Sequence, residues 1–487
     1  MDRLSDHFSK FRKNIIGNDT YFESPYGKQK IIYADWVASG RLYKPIEDKI
    51  ANVIGPFVAN THTETTHTGT LMTRAYNEAH KIIKQHVNAN ENDVIITAGF
   101  GMTQVINKFQ RILGLKDYTG TYKKEEVPEE KRPVVFITHM EHHSNHTSWL
   151  ETIADVVLIE HKADNLCDVE AFKEQIKEYS NRETKIGSFT ACSNVTGVEP
   201  NYYGLAKIMH QHGGIALIDF AASAPYVDID MHPEDPEKKL DAIFFSPHKF
   251  LGGPGGPGVL IFCNSLYNCK VPDHPGGGTV EWTDPWGGHK YFDDIELRED
   301  GGTPGFIQTI RAALAIKLKE QLNTKLIHQR EVELVKKAFS GFGKIKRLNV
   351  LADNIDNRLG IFSFWFDDIH YNLIVKLLND RFGIQVRGGC ACAGTYGHFL
   401  LNVTQEESKR ITDKINSGDL SEKPGFVRVS LHPTMTDEEL DFIVNAVDEI
   451  SKNHLEWAKD YTYDSHTNEF THYSEIDYDK TIKDWFE

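Results

Sequence analysis

The sequence contains few cysteines and no long apolar run, and each absence excludes a class of protein. Six cysteines in 487 residues are too few for the disulfide framework of a small secreted domain. No stretch of eighteen apolar residues occurs, so no membrane span is expected. The charged start MDRLSDHFSKFRKN lacks the apolar core of a secretory signal. We therefore expect a reduced, soluble, cytoplasmic protein.

An excess of basic residues is also missing. The formal net charge is −16, which argues against nucleic acid or an anionic membrane as the main partner. The length allows two or three domains with cores of their own. The apolar and charged fractions, 40% and 25%, are ordinary for a soluble globular protein.

The hydrophobic pattern of residues 90–265 predicts strands that alternate with helices. Short apolar runs rich in β-branched residues suit strands that are buried on both faces. Between two of them, YGLAKIMHQHGG has apolar residues at helical spacing and ends on glycines. The pattern predicts an α/β fold with a mainly parallel sheet. The strand candidates are DVIIT, PVVFIT, ADVVLIE, TKIGSFT, GIALIDF, AIFFS and GVLIF.

One lysine, Lys249, follows a buried strand in FFSPHKFLGGPGGPGVLIF. A lysine that loses part of its hydration has a lowered pKa and becomes a nucleophilic amine, as Schiff-base chemistry requires. The glycines that follow allow close approach of the backbone to a ligand. The spacing alone leaves two interpretations open, a lysine in a turn or a lysine that binds a cofactor.

Asp219 ends another apolar strand, in IALIDFAASAP. A carboxylate there needs a charged or hydrogen-bonding partner. A pyridinium nitrogen would be such a partner; the alternative is a carboxylate that caps the next turn.

The segment TAGFGMTQVINK predicts a strand, a glycine-rich turn and a helix that opens near Met102 and Thr103. Amide groups at such a helix start can bind phosphate. It is no Walker loop, because no Gly-Lys-Ser/Thr follows.

Four histidines in THMEHHSNHTSW suggest a metal site, with His142 and His146 four residues apart. The acidic residue of a helical zinc motif is missing, and we predict a turn rather than a helix after PVVFIT. We therefore predict no metal and an imidazole that stacks on a flat ring.

The loop VRGGCACAGTYGH contains two cysteines near Arg387. Two thiolates make only half a zinc site. Positive charge favours the thiolate, which is the nucleophile. The alternative is two inert small residues in a turn.

These motifs occur in one order: the phosphate turn, EHHSN, SNVTG, IDFAAS, SPHK, GGTP, the cysteine loop and FVRVSLHPT. This order resembles the class V aminotransferase family of pyridoxal-phosphate (PLP) enzymes, in particular its cysteine desulfurase and selenocysteine lyase branch. The resemblance runs from about residue 33 to about residue 450. It implies the aspartate aminotransferase-like fold type I, with a large mainly parallel-sheet domain and a smaller α+β domain.

The implied domains are four. They are an N-terminal segment 1–32 that packs on the small domain, a PLP-binding domain 33–310, a small domain 311–452 and an acidic, aromatic extension 453–487.

The resemblance also implies roles for residues of the cofactor site. Lys249 would hold PLP covalently, Asp219 would bind the pyridinium nitrogen and His142 would stack on the ring. Thr303 would reach the phosphate of a neighbouring subunit in a homodimer. The other implied cofactor residues are Met102, Thr103, Ala221, Ser246 and His248.

For the substrate, the resemblance places Asn194, Arg387 and Arg428 at an amino acid, with the arginine suited to its carboxylate. The family's reactive cysteine lies five residues after the loop arginine, which selects Cys392 rather than Cys390. The implied reaction removes sulfur or selenium from a cysteine-type amino acid, leaves a persulfide on Cys392 and releases alanine. A sulfur-acceptor protein would be a partner.

The sequence departs from the family pattern at three places. Ala222 stands where a glutamine is usual, THTETTHTG lacks the arginine of the family's HRG, and Cys390 replaces a common histidine. Two alternatives follow: a class V aminotransferase, epimerase or C–S lyase that acts on another amino acid without a persulfide, or a non-catalytic scaffold or sulfur-relay protein.

Overall fold

The computed structural model of the protein describes residues 3–116, 123–162, 166–474 and 476–487. In chain order, the α-helices are α1 (Arg3–Arg12), α2 (Lys44–Lys49), α3 (His67–His86), α4 (Met102–Ile112), α5 (His143–Leu150), α6 (Val169–Gln175), α7 (Tyr202–Gln211), α8 (Ile295–Arg298), α9 (Phe306–Leu322), α10 (Thr324–Phe342), α11 (Tyr371–Phe382), α12 (Gly394–Leu400), α13 (Gln405–Asn416), α14 (Asp437–Trp457) and α15 (Tyr478–Phe486). Among the residues described, no helix combines the length and apolarity needed to cross a bilayer.

The strands of these same ranges are mostly short. They are β1 (Tyr21–Ser24), β2 (Gly27–Lys30), β3 (Ile32–Tyr33), β4 (Asp93–Ala98), β5 (Val134–Ile137), β6 (Asp155–Leu158), β7 (Lys185–Thr190), β8 (Ile215–Asp219), β9 (Ala242–Phe245), β10 (Gly258–Cys263), β11 (Val280–Thr283), β12 (His289–Tyr291), β13 (Leu348–Val350), β14 (Ile361–Phe366), β15 (Ile384–Gln385), β16 (Arg387–Gly389), β17 (Phe426–Ser430), β18 (Tyr461–Asp464) and β19 (Glu469–His472).

The chain divides into two compact units. The large unit comprises residues 37–193 and 198–328, and the small unit comprises residues 1–36, 194–197 and 329–487. The four domain bounds expected from the sequence stay a prediction.

The large unit is built on a seven-stranded sheet with the order β4-β10-β9-β8-β7-β5-β6. All seven predicted strands are in it. Strand β10 is antiparallel to both of its neighbours, and every other pair is parallel. The prediction of a mainly parallel sheet is therefore confirmed, and β10 is the exception to it.

Both faces of this sheet are covered. In β5, Val134 and Phe136 belong to one buried apolar cluster, while Val135 and Ile137 belong to another. Because successive side chains of a strand point to opposite faces, the two clusters are the cores on the two sides of the sheet. This double burial explains why the strand sequences are continuously apolar rather than alternating.

The small unit contains a four-stranded antiparallel sheet with the order β13-β14-β17-β16. Helix α11 packs against β16, β17 and α14. A separate hairpin, β18 with β19, follows α14 and packs on α11 through β19. The sheet presents β17 and β16 side by side, so residues of FVRVS and VRGG are brought together although about forty residues separate them.

Candidate active site

In the large unit, the predicted cofactor residues follow the carboxyl ends of four strands. Strand β4 leads into Gly99–Gly101, β5 into the EHHSN segment, β8 ends at Asp219, and β9 leads into Ser246–Lys249. These four strands run in the same direction, so their carboxyl ends lie at one edge of the sheet. Ligands of α/β sheets bind at this edge.

The glycine-rich turn before α4 is packed against the segment that contains Lys249. The Met102 amide donates to Ser246 Oγ at 2.9 Å, and with its Nδ1 protonated His248 donates to Phe100 O at 3.0 Å. A Cβ atom on Gly101 would lie only 3.0 Å from His248 Cε1. A side chain at position 101 would therefore crowd His248, and the amide end of α4 lies beside two polar side chains suited to a phosphate.

Thr103 lies one residue further into α4, and its Oγ1 is 2.6 Å from Ser144 Oγ of α5. Thr303 is exposed. Both threonines line one cavity of about 480 Å³, together with Gly99, Gln104 and Asn107. Both of these threonines thus line one cavity of the large unit.

Asp219 is fully buried at the end of β8. Burial raises its pKa to about 6, while a hydrogen bond from the Ala221 amide and the charge of Lys249 oppose this shift. The Ala221 N to Asp219 Oδ1 distance is 2.8 Å. A buried carboxylate with a single hydrogen bond is best stabilised by a cationic donor.

His142 is the N-cap of α5, and its Nδ1 accepts from the Ser144 amide at 3.1 Å. The prediction of a turn in this segment was wrong from His143 onward, since α5 begins there. The helix forms because the His142 ring supplies the capping acceptor that serine or aspartate usually supplies. With Nδ1 as an acceptor, the ring proton of His142 is on Nε2.

Glu141, which sequence reasoning did not single out, fixes the segment that carries His142. Its carboxyl group accepts from Thr138 Oγ1 at 2.6 Å, from the Thr190 amide at 2.9 Å and from Asn145 Nδ2 at 2.7 Å. Complete burial nevertheless raises its pKa to about 8. The position of Glu141 directly before His142 in EHHSN is the sequence feature that could have identified it as a site residue.

In the small unit, Arg428 of β17 is buried and shares an aspartate with Arg387. Arg428 Nη2 donates to Asp35 Oδ1 at 2.8 Å, and Arg387 Nε donates to Asp35 Oδ2 at 3.2 Å. Arg428 Nη1 donates to Asn194 O at 3.2 Å. Sequence reasoning did not identify Asp35, although it lies at the start of the resemblance in YADWVASG.

Two buried polar atoms next to this cluster have no protein partner among the residues described. They are Arg428 Nε and Asn194 Oδ1. Buried polar atoms are rarely left unsatisfied, so both are suited to a ligand. The Asn194 amide group donates to Ala391 O at 2.7 Å, which ties this cluster to the cysteine loop.

The two cysteines of the loop have different environments. Cys390 Sγ donates to Pro424 O at 2.9 Å, and burial raises the pKa of this thiol. Cys392 is exposed. Ala391 and Cys392 both have left-handed backbones, with φ of 48° and 56°, a conformation that costs non-glycine residues energy and is often found at functional sites.

The charge of the Cys392 thiolate also acts on Arg428. Burial lowers the pKa of Arg428, and the negative charges of Asp35 and Cys392 oppose that shift. Cys392 therefore lies within electrostatic range of the Arg428 guanidinium. The small unit thus combines an exposed thiol, a buried arginine and an asparagine.

Comparison with known families defines the class of protein. The family model Aminotransferase class-V matches residues 32–443. The chain therefore belongs to the class V aminotransferase family and is a PLP-dependent enzyme, as predicted, so the alternative of a non-catalytic scaffold is not supported.

The particular relatives are named for one activity. A probable cysteine desulfurase of Staphylococcus aureus (strain COL) is 28% identical over 383 residues, which cover 78% of this chain and 87% of the relative. One of Staphylococcus epidermidis (strain ATCC 12228) is 28% identical over 381 residues, with the same coverage of both chains.

Solved structures agree on the fold. The apo structure of a cysteine desulfurase from Thermococcus onnurineus NA1 covers 91% of this chain and 98% of its own, with a TM-score of 0.72 and 21% identity. The cysteine desulfurase CsdA from Escherichia coli gives a TM-score of 0.71 and 22% identity, with the same coverage of both chains. The predicted fold class is confirmed.

The residues of the large unit fit PLP. Gly101 leaves open a space beside Ser246 and His248 that a Cβ would fill, and phosphate suits the helix start there. The buried Asp219 carboxylate has the chemistry that a pyridinium N–H requires, and Lys249 lies close enough for its charge to act on it. These are the observations on which the residue roles proposed below depend.

Replacing Asp219 by asparagine should stabilise the cofactor-free protein. Because the folded pKa of about 6 exceeds the ordinary 3.8, the ionised carboxylate opposes folding increasingly as the pH rises through that window. Asparagine keeps the acceptor for Ala221 and carries no charge. We expect the free energy of unfolding at pH 7 to rise by on the order of 2 kcal/mol, and PLP affinity to fall.

Urea unfolding of the cofactor-free wild type and variant at pH 7 and at pH 4 measures this effect. The gain should vanish at pH 4, where both side chains are neutral in the folded state. A gain of the same size at both pH values would contradict the assignment to the carboxylate charge. Titration with PLP, followed by absorbance, measures the affinity.

Proposed function

We propose that this PLP-dependent enzyme is a cysteine desulfurase or a close relative that acts on selenocysteine. The observation that carries the proposal is the difference between the two loop cysteines. Cys392 is exposed near a buried arginine, while Cys390 is partly buried and donates to a carbonyl. Sulfur transfer through a persulfide requires a reactive thiol, whereas transamination and epimerisation need none. The curated relatives described above bear the desulfurase activity in their names.

Each cofactor residue has a proposed role. Lys249 binds PLP covalently, Asp219 holds the pyridinium nitrogen and keeps it protonated, and His142 stacks on the ring. When bound, PLP withdraws electrons from the Cα atom of an amino acid. The phosphate is bound by the amide of Met102 and by the side chains of Thr103, Ser246 and His248, and the backbone at Ala221 orients Asp219.

The substrate carboxylate is bound by Arg428, with Asn194 and Arg387 as further contacts. Asp35 holds both guanidinium groups in place, so the arginines are oriented before substrate binds. Preorganised donors of this kind lose little entropy on binding.

Two residues of the chain then move protons and sulfur. The Lys249 amine takes the proton from the substrate Cα atom and later returns a proton to the Cα atom of the product. The Cys392 thiolate attacks the substrate sulfur, so an S–S bond forms while the substrate Cβ–S bond breaks and its electron pair stays with carbon. Protonation of the Cβ atom gives the methyl group of alanine. Cys392 retains the persulfide until a thiol reduces it and releases sulfide.

The assay that tests this proposal is incubation of the purified, PLP-loaded protein with L-cysteine and dithiothreitol. Alanine and sulfide should appear in equal amounts, over several turnovers. L-Selenocysteine in a parallel reaction tests the selenium arm. A PLP-loaded protein that releases neither product from either substrate would overturn the proposal.

A second candidate is a class V enzyme that acts on another amino acid without a persulfide. Ala222, which stands where a glutamine is usual, favours it, because the cofactor loses a hydrogen-bond donor there. The nearby Ser223 Oγ is buried and has no partner among the residues described. Transamination or racemisation of other amino acids in place of cysteine desulfuration would support this candidate.

We also propose a homodimer and a protein that accepts the sulfur. Phe100, within the glycine-rich turn after β4, is 79% exposed, and Trp286, between β11 and β12, is 89% exposed. Phenylalanine and tryptophan are enriched at protein–protein interfaces relative to the rest of the surface. Light scattering should give twice the mass of one chain, and a monomeric active enzyme would contradict the dimer. The need for a free thiol suits a reducing compartment such as the cytoplasm.

A further inference from the structure

The C-terminal hairpin, which we define as residues 461–472, lies beyond the family match that ends at residue 443. It is nevertheless held to the small unit by buried polar contacts. Tyr461 OH donates to Asp380 Oδ2 of α11 at 3.0 Å, and both side chains are buried. A segment with such contacts is an integral part of this unit rather than a loose tail.

Asn468, at the turn of the hairpin, makes the central contacts. It is 6% exposed and has a left-handed backbone, with φ of 62°. Its Nδ2 donates to Tyr371 OH at 2.6 Å, its Oδ1 accepts from Tyr463 OH at 2.8 Å, and its carbonyl accepts from Asn372 Nδ2 at 2.6 Å. One residue of the hairpin therefore fixes the first two side chains of α11.

Those two side chains pack against the backbone of β16, which begins the cysteine loop, and against the residue before its neighbour β17. A Cβ atom on Gly388 would lie 2.6 Å from Asn372 Oδ1, and a Cβ atom on Gly425 would lie 2.5 Å from Tyr371 Cε1. Gly388 is two residues before Cys390. The two glycines thus leave room for these side chains close to the backbone, and in a closely packed interior a shift of either side chain displaces its neighbours.

The tip of the hairpin holds the segment that accepts the Cys390 hydrogen bond. The Leu420 amide donates to Ser465 O at 2.8 Å, and His466 Nδ1 lies 2.8 Å from Gly418 O. This segment continues to Pro424, whose carbonyl accepts from Cys390 Sγ at 2.9 Å. The hairpin thus supports the cysteine loop from two directions.

We infer that the C-terminal hairpin positions the cysteine loop, and that Asn468 is the positioning residue that keeps Cys390 protected while Cys392 is presented for reaction. The inference rests on the proposed function in assigning Cys392 to sulfur transfer. It assigns a role in the reaction to a segment outside the residues that the family model matches.

The test is Asn468→Gly, which keeps a left-handed backbone accessible and removes both side-chain hydrogen bonds. The PLP-loaded protein is treated with iodoacetamide without substrate, and alkylation of each cysteine is followed by mass spectrometry. We expect Cys390 to be alkylated about tenfold faster than in wild type. We also expect kcat with L-cysteine to fall about tenfold, with KM and the PLP absorbance spectrum unchanged.

The matched control is Asn88→Gly in the large unit. Asn88 also has a left-handed backbone, with φ of 53°, and its side chain donates to Asp230 at 2.7 Å. Asn468→Asp is the conservative variant, since aspartate can accept from both tyrosines, and it should restore most of the protection of Cys390. Equal alkylation rates of Cys390 in Asn468→Gly and Asn88→Gly would overturn the inference.

A second variant keeps the test decisive. If Asn468→Gly does not fold, His466→Ala at the exposed tip replaces it, with a smaller acceleration expected and an unchanged rate overturning the inference. Alkylation needs no substrate, so the proposed function can fail separately. A protein that releases no sulfide, yet exposes Cys390 when Asn468 is changed, would refute the desulfurase and leave the positioning role intact.

Discussion

Replacement of Lys249 by alanine is expected to remove the visible absorbance of the lysine-bound cofactor and to lower alanine release by on the order of 10³-fold. Both effects follow from one amine. It is the only group that we propose to bind PLP covalently, and it is also the base that moves the Cα proton. Absorbance spectra and product assays on the purified variant measure the two effects.

The control is Lys238→Ala, which removes a partly exposed lysine from the same unit; its Nζ lies 3.9 Å from Asp235. This variant should keep its colour and its turnover. An added small primary amine should restore part of the turnover of Lys249→Ala, because it can replace the missing base in the space left by the side chain. A colourless control, or a coloured and active Lys249→Ala protein, would mean that another lysine binds the cofactor.

Much of the large unit could be predicted from sequence because its strands are buried on both faces. A short, continuous run of apolar and β-branched residues such as PVVFIT predicts a strand that is buried on both faces. The turn residues that follow it mark the edge of the sheet where ligands bind. The direction of β10 could not be predicted. Antiparallel placement depends on which strands it pairs with, and no local pattern of side chains encodes that pairing.

The start of α5 was missed for a physical reason. Histidine is not among the usual N-cap residues, so the sequence around His142 carries no standard cap signal. The structure supplies the cap through His142 Nδ1. The same bond fixes the ring tautomer, which sequence cannot give.

Contacts between distant residues were the other limit. Asp35 and Arg428 are 393 positions apart, and a single sequence contains no signal that joins them. The difference between Cys390 and Cys392 depends on a carbonyl of Pro424. Sequence reasoning preferred Cys392 from its spacing to Arg387, and the environments of the two thiols add a physical argument for that preference.

Replacement of Cys392 by serine should lower sulfide release from L-cysteine by about a hundredfold or more, while the protein stays coloured. Serine has nearly the same size, so the loop and the cofactor site should be unchanged. Its hydroxyl remains protonated near neutral pH and is a poor nucleophile toward sulfur, whereas a cysteine thiolate is a good one. Sulfide and alanine assays beside an absorbance spectrum measure the effect.

The matched control is Cys390→Ser, two residues away on the same loop. Burial raises the pKa of the Cys390 thiol, so little thiolate exists there at neutral pH, and serine can still donate to Pro424 O. We expect this variant to keep most of the wild-type rate. Loss of activity in Cys390→Ser alone would move the persulfide to Cys390. Activity in both variants would mean that carbon–sulfur cleavage proceeds without an enzyme thiol, and the proposal of an enzyme persulfide would then be wrong.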